Sequence, residues 1–217
     1  YEGPDADLND RHADSWRIHG ATGARTKRTT EPGTWSGPAV SPDGRWLAYS
    51  GYPATKATYQ AAAIWVRRLD RDEPARPLTT GLDRDPSDVT WARDGDGLYF
   101  TADHEGSRNL HYAPRGGGAR PVTTGTHLLS LGDLGRQAAV VTRTTPTRPG
   151  DVALVNLRRP AELTWLTAVN EDMLHGVRLG DLEEVWYRSS GDARIQGWIV
   201  KPPDFDPAKR YPLILEI

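Results

Sequence analysis

Six histidines, His12, His19, His104, His111, His127 and His175, are the first residues able to hold a metal or move a proton. None shares metal-ligand spacing with carboxylates on a common element. The nearest approach is Asp103-His104-Glu105, where neighbouring side chains on an extended segment point to opposite sides. A solvated loop is the expectation there. Arg115-Gly116-Gly117-Gly118 has the glycines of a phosphate cradle, but such a cradle needs a helix directly after it. Ala119 to Thr123 reads as a strand, so a hairpin turn is expected. The chain has no cysteine, which removes thiolate metal sites, disulfides and a cysteine nucleophile. Ser41, Ser50 and Ser130 have no base near them in sequence, and Gly-x-Ser-x-Gly, the elbow of a serine hydrolase, does not occur. No catalytic, cofactor-binding or metal-binding residue is therefore assigned. Arg67-Arg68 and Arg158-Arg159 read as surface charge, and Trp46, Trp65 and Trp91 as packing residues.

The elements that would position any site come from composition and rhythm. Among 217 residues, 27 basic and 29 acidic side chains leave a net charge of −2. That balance gives no footprint for nucleic acid or an anionic membrane. Apolar runs such as Ala61 to Val66 are far short of the ~20 residues of a membrane helix. The pairs Leu78-Thr79, Val122-Thr123 and Leu166-Thr167 stand 44 residues apart. Each follows an apolar segment: Ile64-Trp65-Val66, Leu110-His111-Tyr112 and Val152-Ala153-Leu154. Trp16-Arg17-Ile18 leading to Arg28-Thr29-Thr30 looks like an earlier copy.

A second feature recurs in step. Ser41-Pro42-Asp43-Gly44 precedes Leu47-Ala48-Tyr49, and Ala92-Arg93-Asp94-Gly95 precedes Leu98-Tyr99-Phe100. Asp133 stands in the same relation to the run from Ala138 to Val141. Asp-Gly between short apolar segments signals a hairpin. One unit thus reads as four strands: Ala39-Val40, Trp46 to Ser50, Ala63 to Arg67 and Arg76 to Thr80. Four strands per ~44 residues is the signature of a β-propeller blade. The expected fold is all-β, with about four propeller blades of four strands each. The second-to-third connections, Gly51 to Ala62, Asp103 to Asn109 and Thr142 to Asp151, read as variable loops on one face. Lys56, Tyr59, Arg143 and Arg148 are the candidates there for meeting a substrate or partner.

After Leu166-Thr167 the rhythm stops. Glu184 to Ser189 and Arg194 to Val200 alternate as two strands joined at Ser190-Gly191-Asp192. Lys201-Pro202-Pro203 opens a stiff connection, and Tyr211 to Ile217 reads as an apolar strand of the kind buried in an α/β sheet. A chain beginning on Tyr1 and stopping on that strand reads as a piece of a longer one. The expected division is a propeller portion over 1–175 and the opening strands of an α/β domain over 176–217.

Ser189-Ser190-Gly191-Asp192, Ile195-Gln196-Gly197-Trp198-Ile199-Val200-Lys201-Pro202 and Tyr211-Pro212-Leu213-Ile214-Leu215-Glu216-Ile217 resemble the lead into the hydrolase domain of prolyl oligopeptidase family serine peptidases. They are most similar to the acylaminoacyl peptidase branch. The resemblance implies a propeller of the family's usual seven blades that gates short or N-acylated peptides toward a Ser-His-Asp triad, with no metal or cofactor. It places the triad C-terminal to Ile217, leaving this stretch inactive alone. It implies peptide substrates, the remaining blades and hydrolase domain as partners, a homo-oligomer, a cytoplasmic location, and neither nucleic acid nor membrane. The rival reading is a non-enzymatic scaffold propeller of the periplasmic translocation type.

Overall fold

The computed structural model describes residues 12–57 and 59–216; Tyr1 and Ile217, the two ends read above as cuts, lie outside them. Two short strands come first, β1 (Trp16–Ile18) and β2 (Arg25–Lys27), paired antiparallel. Three four-stranded antiparallel units follow, the second and third joined into one sheet by a parallel pair, Leu128 with Arg108. The first holds β3 (Gly33–Val40), β4 (Trp46–Pro53), β5 (Ala63–Arg68) and β6 (Arg76–Pro77). The second holds β7 (Pro86–Trp91), β8 (Gly97–His104), β9 (Ser107–Pro114) and β10 (Arg120–Pro121). The third holds β11 (Leu128–Leu134), β12 (Ala138–Thr145), β13 (Arg148–Asn156) and β14 (Leu163–Trp165). Within each, chain order is sheet order, as in a propeller blade.

The alternation along each strand explains why blades stack. In β4, Leu47 and Tyr49 pack with Trp35 on one side, while Ala48 joins Ile64, Val66, Leu98 and Phe100 on the other. A strand buried on both faces must carry apolar residues at consecutive positions. The cores therefore lie between sheets: one joins the first and second blades through Val66 and Phe100, the next joins the second and third through Leu110 and Val141. Trp91 adds a cross-blade bond, its indole N–H donating to the Ala39 carbonyl at 3.0 Å.

The recurrent Thr acts at the joint between third and fourth strands. Thr79, Thr123 and Thr167 each accept, through Oγ1, the N–H of Ile64, Leu110 and Val152 at 2.8, 2.9 and 2.9 Å. Thr29 does the same for Ser15 at 3.2 Å, so the two-stranded β1–β2 unit is the outer half of a preceding blade. The apolar partner before Thr closes the same joint: the N–H groups of Leu78, Val122 and Leu166 donate to the carbonyls of Ile64, Leu110 and Val152.

Several expectations are corrected. The Asp-Gly turns form at Gly44 (φ +71°) and Gly95 (φ +75°), but Asp133 lies inside β11 at a bulge and the turn there is Gly135 to Gln137. Only one second-to-third connection is long, 54–62. Glu105 and Gly106 alone join β8 to β9, with φ of 47° and 67° as a type I′ turn requires, and Pro146-Thr147 alone join β12 to β13. The fourth strands are shorter than read: β6 is two residues, because Pro77 supplies no N–H. Arg67 is not surface charge: its side chain is buried and Nη1 donates to the Arg28 carbonyl at 2.6 Å.

Beyond β14 come a single helical turn, α1 (Glu171–Leu174), and a hairpin, β15 (Leu182–Arg188) and β16 (Arg194–Val200), joined by a 3₁₀ turn at Ser190–Asp192. The expected strand from Tyr211 does not form. No described strand takes its backbone groups, and Leu213, Ile214 and Leu215 are 87%, 93% and 75% exposed.

Candidate functional site

The two-residue turns at Glu105-Gly106 and Pro146-Thr147 share one end of the blades with the connections that lead from each fourth strand to the next blade. The β15–β16 hairpin meets that end at Leu182 and Trp198. Trp198 of β16 sits over Gly106 so closely that a Cβ there would fall 2.7 Å from its ring. Between hairpin and turns is a cavity of about 330 Å³ lined by Gly106, His127, Leu128, Pro146, Leu182 and Trp198. On the other side of the Pro146-Thr147 turn is a second cavity of about 500 Å³, lined by Thr147, Arg148, Asp151, Asn170, Glu171 and His175.

Asp151 organises the larger cavity. It is 2% exposed, yet both its oxygens are occupied. Oδ1 accepts the Thr167 hydroxyl at 2.6 Å and the Val169 N–H at 3.0 Å, while Oδ2 takes Arg148 Nε at 3.2 Å. The Thr167 hydroxyl first, then the Val169 N–H and Arg148, hold its carboxyl below the ordinary carboxylate range. Arg148 also donates to the Thr167 carbonyl at 2.9 Å and stacks over Trp165, 4.0 Å from the ring centroid. Arg143 stacks on the same ring at 4.8 Å. Burial and the neighbouring Arg148 charge push the Arg143 guanidinium below its usual value.

The smaller cavity has a polar wall at His127. His127 is buried and its Nε2 lies 3.0 Å from Asn109 Oδ1, which also accepts the Thr123 hydroxyl at 3.0 Å. With Asn109 Oδ1 as acceptor, Nε2 carries a proton. Burial, then the Arg143 charge, lower the His127 pKa.

Of the four positions singled out from the sequence, Arg143 and Arg148 come together here. They are not free loop cations, because the short β12–β13 turn draws both back onto Trp165. Lys56 and Tyr59 sit exposed on the 54–62 connection, two blades away. Asp103 and His104 lie at the end of β8, where Asp103 pairs with Arg108 at 2.7 Å. Sequence reasoning misses Asp151, Thr167, Asn109 and His127 as parts of this site. A signal exists for three of them: Asp14, Asn109 and Asp151 each stand directly before the residue whose N–H the repeated Thr accepts, and Thr167 is that Thr.

No protein-family model matches the chain. A curated relative, dipeptidyl-peptidase 5 of Arthroderma otae, is 25% identical over 201 residues, covering 90% of this chain and 27% of its own. The chain is related to the prolyl oligopeptidase family of serine peptidases. It spans a little over a quarter of the length of that relative. The solved acylaminoacyl peptidase of Pyrococcus horikoshii matches 93% of this chain and 30% of its own with a TM-score of 0.72 at 22% identity. The β-propeller domain of the trilobed protease from Pyrococcus furiosus matches 76% and 47% with a TM-score of 0.57 at 21% identity. These two likenesses establish the fold, a partial propeller running on into a further hairpin.

Proposed function

We propose that this chain is the propeller portion, with the lead into the hydrolase domain, of a serine oligopeptidase that removes short or N-blocked units from the ends of small peptides. The observation that carries the reading is the seating of the β15–β16 hairpin on the turn face of the blades, with Trp198 against Gly106. A hairpin held there directs the chain that follows it toward this face and not the rim. The two cavities would then border the chamber between propeller and catalytic domain. Its blade-side wall includes two turns only two residues long, which are stiff, so peptides would be sorted by size: thin, unfolded chains admitted, folded proteins excluded. The triad would lie on residues after Ile217, and the names of the curated relatives favour release of dipeptides over scaffolding.

The test uses the full-length protein that carries this segment. Chromogenic dipeptide anilides with free N-termini and an N-acetyl-alanine anilide are offered side by side, with a fluorophosphonate as serine-directed inhibitor. Cleavage of one class or both, abolished by the inhibitor, is expected. A protein that cleaves neither and takes up no fluorophosphonate would favour the scaffold reading instead.

A further inference from the structure

Arg143 is a charge without a counter-charge. Its guanidinium is half-buried over Trp165, its Nε is buried with no hydrogen-bond partner, and among the described residues it makes no ion pair. Its charged neighbour is another cation, Arg148, on the same ring. Asp151, directly across from Arg143 in the β12–β13 register, is already filled by Thr167, Val169 and Arg148. Two guanidinium groups share one aromatic ring with a single carboxylate that bonds Arg148 and not Arg143, which leaves an excess of positive charge. A partly desolvated charge in that state is costly unless an anion meets it. The arrangement is also stiff. Both groups lie over the Trp165 ring, and the two-residue Pro146-Thr147 turn ties together the strands that bear them.

We propose that Arg143, with the unused edge of Arg148, whose side chain lines the larger of the two cavities, receives a carboxylate of the bound peptide. A planar fork held on an aromatic face suits a carboxylate better than a flexible ammonium would. The proposal rests on the peptidase reading above and adds a preference to it. The carboxylate could be a peptide C-terminus or an acidic side chain, and the two are separable.

The experiment takes the full-length protein and one short peptide in four forms: C-terminus free or amidated, last side chain Glu or Gln. The wild type is expected to favour carboxylate-bearing forms in kcat/KM by roughly tenfold, the scale of a charge-assisted contact. Arg143→Gln should abolish that preference. Loss in the free-versus-amidated arm assigns the C-terminus, and loss in the Glu-versus-Gln arm assigns the side chain. If Arg143→Gln does not fold, Arg143→Lys serves, since it keeps one charge without the planar fork and should cut the preference severalfold. Cleavage of the neutral peptide by the wild type tests the peptidase reading alone. Where no peptide is cleaved, calorimetric binding of the same four forms takes over the test of Arg143. Equal ratios in wild type and variant, in both arms, overturn the proposal.

Discussion

Thr29, Thr79, Thr123 and Thr167 do the same job in four blades but not with the same help. Thr29, Thr123 and Thr167 also donate their hydroxyls, to Asp14 at 2.6 Å, Asn109 at 3.0 Å and Asp151 at 2.6 Å. Ala63 stands at the matching place before Ile64, so Thr79 has no such acceptor there. Thr→Val at each site strands a buried backbone N–H, which costs about 1–3 kcal/mol. Thr123→Val should cost more than Thr79→Val, because it also strands one bond of Asn109 and loosens His127. Urea unfolding of the two variants checks the order, and the reverse order would mean that the carboxamide contact contributes nothing. The histidines add a pH dependence. His111 and His127 are both held below the ordinary histidine value, chiefly by burial. Such a group binds its proton more readily when unfolded, so its stabilising share is intact above about pH 6.5 and is lost as the pH falls below that. The unfolding midpoint of the full-length protein should therefore drop between about pH 7 and about pH 5.5. His127→Gln, which keeps a donor for Asn109 and cannot titrate, should flatten that slope.

At the scale of elements, the turn at Glu105-Gly106 couples the second blade to the tail. Gly106 needs its freedom twice over, for φ of +67° and for the ring of Trp198. Gly106→Ala should cost about 1–2 kcal/mol for the left-handed backbone alone and should also lift the hairpin off the blade. Hydrogen exchange would then quicken across β15 and β16 while β8 and β9 stay protected; equal protection throughout would mean that the hairpin does not depend on this contact. The strands and their order are legible in the sequence because two signals recur in step. The Leu-Thr pair marks the third-to-fourth joint, and Asp-Gly marks the first-to-second turn, each with a local physical cause. What stays hidden depends on pairing between distant residues. Thr142 to Asp151 reads as a loop, since Thr144, Thr145, Pro146 and Thr147 carry no apolar rhythm. Thr144 and Thr145 instead extend β12 and Pro146-Thr147 turn tightly into β13, because Ser130 and Val152 pair with Thr142 across the sheet. Arg143 and Arg148 stand out as residues but read as free, since nothing local announces Trp165 as their shared support. Asp133 mimics a turn residue by spacing alone.

For the whole molecule, surfaces left without partners decide behaviour. Tyr187, Ile199 and Val200 of the hairpin, together with Leu213, Ile214 and Leu215 of the tail, form an exposed apolar series. Large exposed apolar surface of this kind marks an interface, and the proposed catalytic domain would cover it. The 217-residue chain produced alone should therefore associate, with a sedimentation coefficient that rises with concentration. Ile214→Lys together with Leu215→Lys should return it toward a monomer, because both side chains are largely exposed and their loss removes no packing. The blade edges offer a competing route, since β1 and β2 lack inner strands among the described residues and could pair with another copy. If the double lysine variant associates as strongly as the parent, strand edges and not the tail drive the assembly. In that case the tail's apolar run would no longer support a covering domain, and the seating of Trp198 on Gly106 would have to carry the peptidase reading unaided.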